Sequence, residues 1–141
     1  MFRRSMIIAG FAVVFAGAAS AATVRFHAAL SPTSEVPPTK STGSGEASAS
    51  LDTSTHELTY DVTFSGFSSQ VTAAHFHGPA SPGKNAGVVV PLGNAPTSPI
   101  HGTAKLTPEQ EQQLASGMWY VNIHSKNNPS GAIRGQMLKV Q

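Results

Sequence analysis

Apolar and polar residues alternate with a period of two along most of the chain, the pattern of β-strands with one face in a core. In Val24–Leu30 the residues Val24, Phe26, Ala28 and Leu30 share a face, and in Glu46–Asp52 Ala47, Ala49 and Leu51 do so. Leu58, Tyr60, Val62 and Phe64 alternate with Thr59, Asp61 and Thr63, the cleanest strand signal present. Asp52 to His56 reads as the hairpin turn between these last two. Further short strands are expected over 72–77, at Val88-Val89-Val90 as a buried strand stopped by Pro91, over 102–106, over 118–125 and over 132–140.

Gly, Pro, Ser and Thr separate these segments. Residues 31–45 and the three-proline stretch 91–99 are expected to be loops, and Gly78-Pro79 ends the 72–77 strand. One helix is predicted. Thr107-Pro108-Glu109-Gln110 combines an N-cap threonine, proline at the first helical position and a capping-box glutamine, and Gly117 marks the stop. Seven or eight short strands with a single short helix predict an all-β fold: an antiparallel Greek-key β-sandwich or a flattened barrel.

The first 21 residues do not fit that domain. Arg3 and Arg4 precede an apolar run from Met6 to Ala18, and Ala19-Ser20-Ala21 supplies small residues for cleavage. This is the layout of a secretory signal peptide, with an apolar run too short to span a bilayer. The expectation is a signal at 1–21, a β domain at 22–141, and a periplasmic or secreted location. The paired arginines also raise a twin-arginine route, which their flanks fit poorly.

Removing the signal changes the charge balance. The chain has nine Lys plus Arg and seven Asp plus Glu. Losing Arg3 and Arg4 leaves seven of each. A neutral domain without a charge cluster offers no footprint for nucleic acid, and no later segment is apolar enough to span a membrane. The absence of cysteine excludes disulfides and thiolate chemistry, leaving His, Asp and Glu as strong metal ligands.

Six histidines stand out in a chain with only 11% charged residues. In Ala74-His75-Phe76-His77 the two histidines are two apart and share one strand face, while Phe76 points into the core. In Trp119-Tyr120-Val121-Asn122-Ile123-His124 the apolar Trp119, Val121 and Ile123 define the core face. His124 therefore lies opposite, with Tyr120 and Asn122. If these strands are neighbours, His75, His77 and His124 converge as a metal site, with copper favoured and zinc the alternative. Otherwise the three lie on a solvated face or hydrogen-bond loops such as 78–87. His27 is open as a fourth ligand or an exposed residue, His101 is a weaker ligand candidate, and His56 sits in a turn facing solvent. Asn122 and Tyr120 are candidates to support the ligands from behind. Arg134 is expected to pair with Glu35 or Asp61.

Other chemistry is poorly supported. Glu57 and Asp61 share a face without apolar walls, no serine sits in a G-x-S-x-G elbow, and Gly43-Ser44-Gly45 precedes a strand rather than a helix. No catalytic residue and no organic cofactor is singled out, and whether the protein is an enzyme stays open.

Five ordered motifs resemble the CHRD (chordin-type) domain family: Glu35-Val36-Pro37-Pro38, Leu58-Thr59-Tyr60, Ala73 to Ala80, Trp119 to His124, and Gly131 to Gln136. Together they cover about Phe26 to Leu138. The resemblance implies an extracytoplasmic β domain of the kind that appears singly behind a signal peptide in bacteria. It does not imply the growth-factor binding of chordin itself. His75, His77 and His124 match the family's motif histidines, whereas His27, His56 and His101 do not. The H-x-H strand with a later strand histidine is also similar to the copper side of copper-zinc superoxide dismutases. That family's cysteines and zinc-loop pattern are missing, so the likeness extends to a copper-type site alone. Two functions remain: an exported metal-binding protein, or a non-catalytic envelope or extracellular module that binds a protein or polysaccharide through loops 31–45 and 78–87.

Overall fold

The computed structural model describes Gly17 and residues 20–141. The expected signal segment 1–21 lies outside the described residues apart from Gly17, Ser20 and Ala21. Among the described residues the chain forms nine strands and one α-helix. In order these are β1 (Thr23–Leu30), β2 (Ser44–Asp52), β3 (Glu57–Ser65), β4 (Val71–His77), β5 (Val88–Asn94), β6 (Ile100–Lys105), α1 (Pro108–Ala115), β7 (Tyr120–Ser125), β8 (Asn128–Gln136) and β9 (Leu138–Lys139).

Two antiparallel sheets face each other, one ordered β6-β3-β2-β1-β9 and the other β5-β4-β7-β8. The fold is a sandwich rather than a closed barrel: among the described residues, an isolated bridge between Ser31 and Arg134 joins the two ladders. Alternation sends Phe26, Leu51, Leu58 and Val62 of the five-stranded sheet inward to meet Phe76, Val121, Ile123 and Ile133 of the other. Tyr60 and Phe76 meet edge-on across the layers, with ring centroids 5.4 Å apart. Trp119 is fully buried at one end, its indole N–H donating to Gln113 Oε1 of α1 at 3.3 Å.

The helix begins as its sequence requires. Thr107 accepts from the Gln110 backbone N–H at 3.2 Å, and the Gln110 side chain accepts from the Thr107 N–H at 2.9 Å. Both halves of the capping box are therefore made. Leu114 is the residue that anchors α1 in the core.

Two expectations about β5 are corrected. The strand does not stop at Pro91 but continues to Asn94, and Val88 is exposed rather than buried. The reason is position. β5 is an edge strand, where proline's missing N–H disrupts no ladder on the open side. The pairing with β4 is irregular on both sides of Pro91. The closing segment 132–140 is likewise two strands, β8 and β9, broken at the buried Met137.

Alternation leaves the outer face of the five-stranded sheet exposed, but not that of the four-stranded sheet. Five of the six residues of β7 are buried, Tyr120 and Asn122 on the side away from the core included, and His124 on that side is half-buried. The covering comes from the chain after β1 and from the loop after β4. Thr39 Oγ1 donates to the Ala132 carbonyl at 2.6 Å, holding the first of these along β8. The functional candidates lie beneath this cover.

Candidate metal centre

β4 and β7 are hydrogen-bonded neighbours, with His75 opposite Asn122 and His77 opposite Tyr120. His124 faces Ala73, so it lies diagonal to His75 on the same side of the sheet. The period of two thus places all three histidines on one face. Their ligand nitrogens lie within 4.8 Å of one another. His75 Nδ1 and His124 Nε2 are 3.0 Å apart. Two nitrogens about 2.1 Å from one ion stand about 4.2 Å apart when opposite one another and about 3.4 Å apart at the tetrahedral angle. The widest pair, within 4.8 Å, therefore closes by about 0.6 to 1.4 Å when an ion binds.

A bulge aims His124. In the β7–β8 ladder Ile123 pairs with Ile133 and Ser125 with Asn128, so residues 129–132 all stand against His124 alone. The displaced Pro129 carbonyl accepts from His124 Nδ1 at 2.8 Å. The Ala86 carbonyl, in the loop after β4, accepts from His77 Nδ1 at 3.0 Å. These backbone acceptors hold the Nδ1 protons of both rings and turn both Nε2 atoms inward, that of His124 accepting from His75 Nδ1 and that of His77 facing Asn122 Oδ1, as carbonyl partners do for metal-binding histidines.

His77 stacks on Tyr120, with centroids 4.8 Å apart and planes 1° from parallel. The Tyr120 hydroxyl donates to the Ala86 carbonyl at 3.2 Å and accepts from the Ala86 N–H at 3.1 Å. The Arg134 guanidinium lies 4.0 Å from the Tyr120 ring centre.

Behind the histidines lies a buried polar network. Arg134 Nε donates to Glu35 Oε2 at 3.1 Å, Nη1 to the Lys84 carbonyl at 3.0 Å and Nη2 to Asn85 Oδ1 at 2.6 Å. Asn122 Nδ2 donates to Glu35 Oε1 at 3.0 Å, which leaves Asn122 Oδ1 3.1 Å from His77 Nε2. No buried side-chain polar atom among the described residues lacks a hydrogen-bond partner. Of the two partners expected for Arg134, the structure selects Glu35.

Burial is the main cause that lowers the pKa of His75, and the neighbouring His124 and His77 lower it further. Burial also lowers that of His77, more than the contacts with Ala86 and Asn122 raise it. Both imidazoles are therefore held neutral at pH 7, the form that binds metal.

The other histidines stand apart. His27 is on the other sheet, half exposed and 3.9 Å from Glu46, and is not beside the trio. His101 is mostly exposed and paired with Asp61. His56, expected to face solvent, is half exposed but bonds Glu111 Oε1 through Nδ1 at 2.8 Å, tying the β2–β3 turn to α1. Sequence reasoning missed the Glu35–Asn122 bond and the carbonyls of Ala86 and Pro129. Main-chain acceptors carry no residue signature, and the Glu35–Asn122 bond spans 87 positions.

Fold and site together define a two-sheet antiparallel sandwich with a three-histidine cluster on the roofed outer face of one sheet. The CHRD domain model matches residues 26–137, and the chain belongs to the CHRD domain family. No solved structure matches this chain.

Proposed function

We propose that this is an exported CHRD-domain protein, periplasmic or secreted, that binds one metal ion through His75, His77 and His124. Copper is favoured, with zinc the alternative. The observation that carries the reading is the convergence of three ring nitrogens within 4.8 Å on neighbouring strands. Carbonyl acceptors on His77 and His124, and the neutral state of His75 and His77, support it. Copper(II) stands highest among divalent ions for nitrogen sites, and an exported protein meets it without cytosolic competition. The apolar run over 6–18 behind Arg3 and Arg4 supports export.

Copper(II) titration by calorimetry and electron paramagnetic resonance, beside the His77→Ala variant, tests this. Tight one-to-one binding with nitrogen hyperfine structure, lost in the variant, is expected. Equal copper affinity in wild type and variant would refute the site. It would leave an envelope or extracellular module that binds a protein or polysaccharide, a reading to which family membership alone also lends support.

A further inference from the structure

The Asn122 carboxamide faces two partners with incompatible demands. Its Nδ2 is 3.0 Å from Glu35 Oε1, and its Oδ1 is 3.1 Å from His77 Nε2. Glu35 is paired with Arg134 through its other oxygen, so it is an acceptor only. Rotating the amide by 180° would set its oxygen against that carboxylate. The orientation is therefore held by a buried ion pair, and Asn122 Oδ1 must face the imidazole.

His77 meets an acceptor at each ring nitrogen: the Ala86 carbonyl at Nδ1 and Asn122 Oδ1 at Nε2. A neutral imidazole carries one N–H, so it serves one of these two acceptors; a proton or a metal ion at Nε2 serves the second while the Nδ1 proton stays on the Ala86 carbonyl.

The spacing suits that cation. Two donors about 2.1 Å from one ion lie about 3.0 Å apart at a right angle and about 3.4 Å apart at the tetrahedral angle. His77 Nε2 and Asn122 Oδ1 are 3.1 Å apart, and His75 Nδ1 and His124 Nε2 are 3.0 Å apart; both pairs are hydrogen-bonded in the metal-free protein, and the three histidine nitrogens, within 4.8 Å of one another, draw closer on an ion. Asn122 also stands directly opposite His75 in the ladder, between the two histidine strand positions.

We propose that Asn122 Oδ1 is the fourth ligand of the histidine site, giving a three-nitrogen, one-oxygen set for a divalent transition metal, and that the Glu35–Arg134 pair orients it. This rests on the metal-binding reading and adds to it a neutral oxygen donor fixed from behind. The set carries no ligand charge, so it would hold the ion as a dication without charge compensation from a carboxylate or thiolate.

Zinc(II) titration of the purified protein, followed by NMR of the Asn122 side chain, tests the assignment in the unaltered chain. Copper(II) spectra of Asn122→Ala run alongside. Coordination through Oδ1 is expected to move the Asn122 carboxamide carbon downfield in slow exchange, in step with the imidazole nitrogens of the three histidines. Asn122→Ala is expected to keep three-nitrogen hyperfine structure with a changed parallel g value, and to bind copper at least about tenfold more weakly. Loss of an orienting partner alone also weakens binding by tenfold or more, so the zinc-induced carboxamide shift decides for coordination. Shifts at the three imidazoles with none at Asn122 would overturn the fourth ligand and leave the histidine site standing. Absence of any histidine shift at saturating zinc, together with no copper binding, would overturn both. If the Ala variant fails to fold, the wild-type NMR result decides alone.

Discussion

Glu35 and Arg134 form an ion pair with Nη2 and Oε2 3.1 Å apart, both residues at least 95% withdrawn from solvent, across 99 positions of sequence. A buried pair is a weak source of net stability, because desolvation offsets most of the attraction. Its value here is positional. Glu35 turns the Asn122 amide, and Arg134 holds the Lys84 carbonyl and the Asn85 side chain of the loop beside the histidines.

Breaking that pair from one side leaves a carboxylate buried without its cation. Arg134→Ala is expected to destabilise the fold by about 3–5 kcal/mol, read as a lower urea midpoint. Arg134→Lys should recover little, since a single ammonium cannot reach Glu35, the Lys84 carbonyl and Asn85 at once. A Lys variant with wild-type stability would contradict the role assigned to the guanidinium fork.

Gly131 sits in the β8 bulge with φ of 133°, and an added Cβ would lie 2.6 Å from Glu35 Oε1 and closer still to Asn122 Nδ2. Gly131→Ala is therefore expected to cost about 1–3 kcal/mol from backbone strain alone and to weaken copper binding through the displaced Asn122. Calorimetry and chemical denaturation together check this. Unchanged copper affinity in a destabilised variant would separate the bulge from the site.

The pKa values of His75 and His77 are lowered below 6.5, the ordinary histidine value, chiefly by burial. In the unfolded chain both take up protons as the pH falls through about 6.5, while the folded state resists. The unfolded state then holds more protons, so metal-free stability falls as the pH drops from about 6.5 to the lowered folded values, and levels off below them. Denaturation midpoints between pH 7.5 and 4.5 should show this slope, and it should shrink in a His75→Asn, His77→Asn double variant. An identical slope in that variant would place the acid sensitivity elsewhere.

His27, His56 and His101 lie away from the trio, at half-exposed or mostly exposed positions. Replacing all three by alanine is expected to leave one tight copper site with wild-type hyperfine structure, and to remove only weak secondary binding at high copper. Loss of the tight site in this triple variant would move the metal to the other sheet.

Local chemistry made much of the domain legible from the chain alone. Alternation along β3 and β7 separated Leu58, Val62, Val121 and Ile123 as core from the opposite face, and all four are fully buried. The capping residues of α1 fixed its first turn because both capping-box hydrogen bonds join residues three positions apart. The same alternation placed His75 and His77 on one face, and His124 on the face opposite Ile123. Edge position could not be read this way: Val88-Val89-Val90 looks like an interior strand, and only the strand order exposes it.

What the chain alone determined, then, was which side of each strand a residue occupies, because a period of two is a property of neighbouring residues. The tertiary structure decided which strands lie side by side, where the β8 bulge aims His124, and which loops roof the outer face. It also decided that Glu35, far away in sequence, orients Asn122 toward His77. Those relationships depend on long-range pairing and on backbone carbonyls, which leave no periodic signal among the residues that make them.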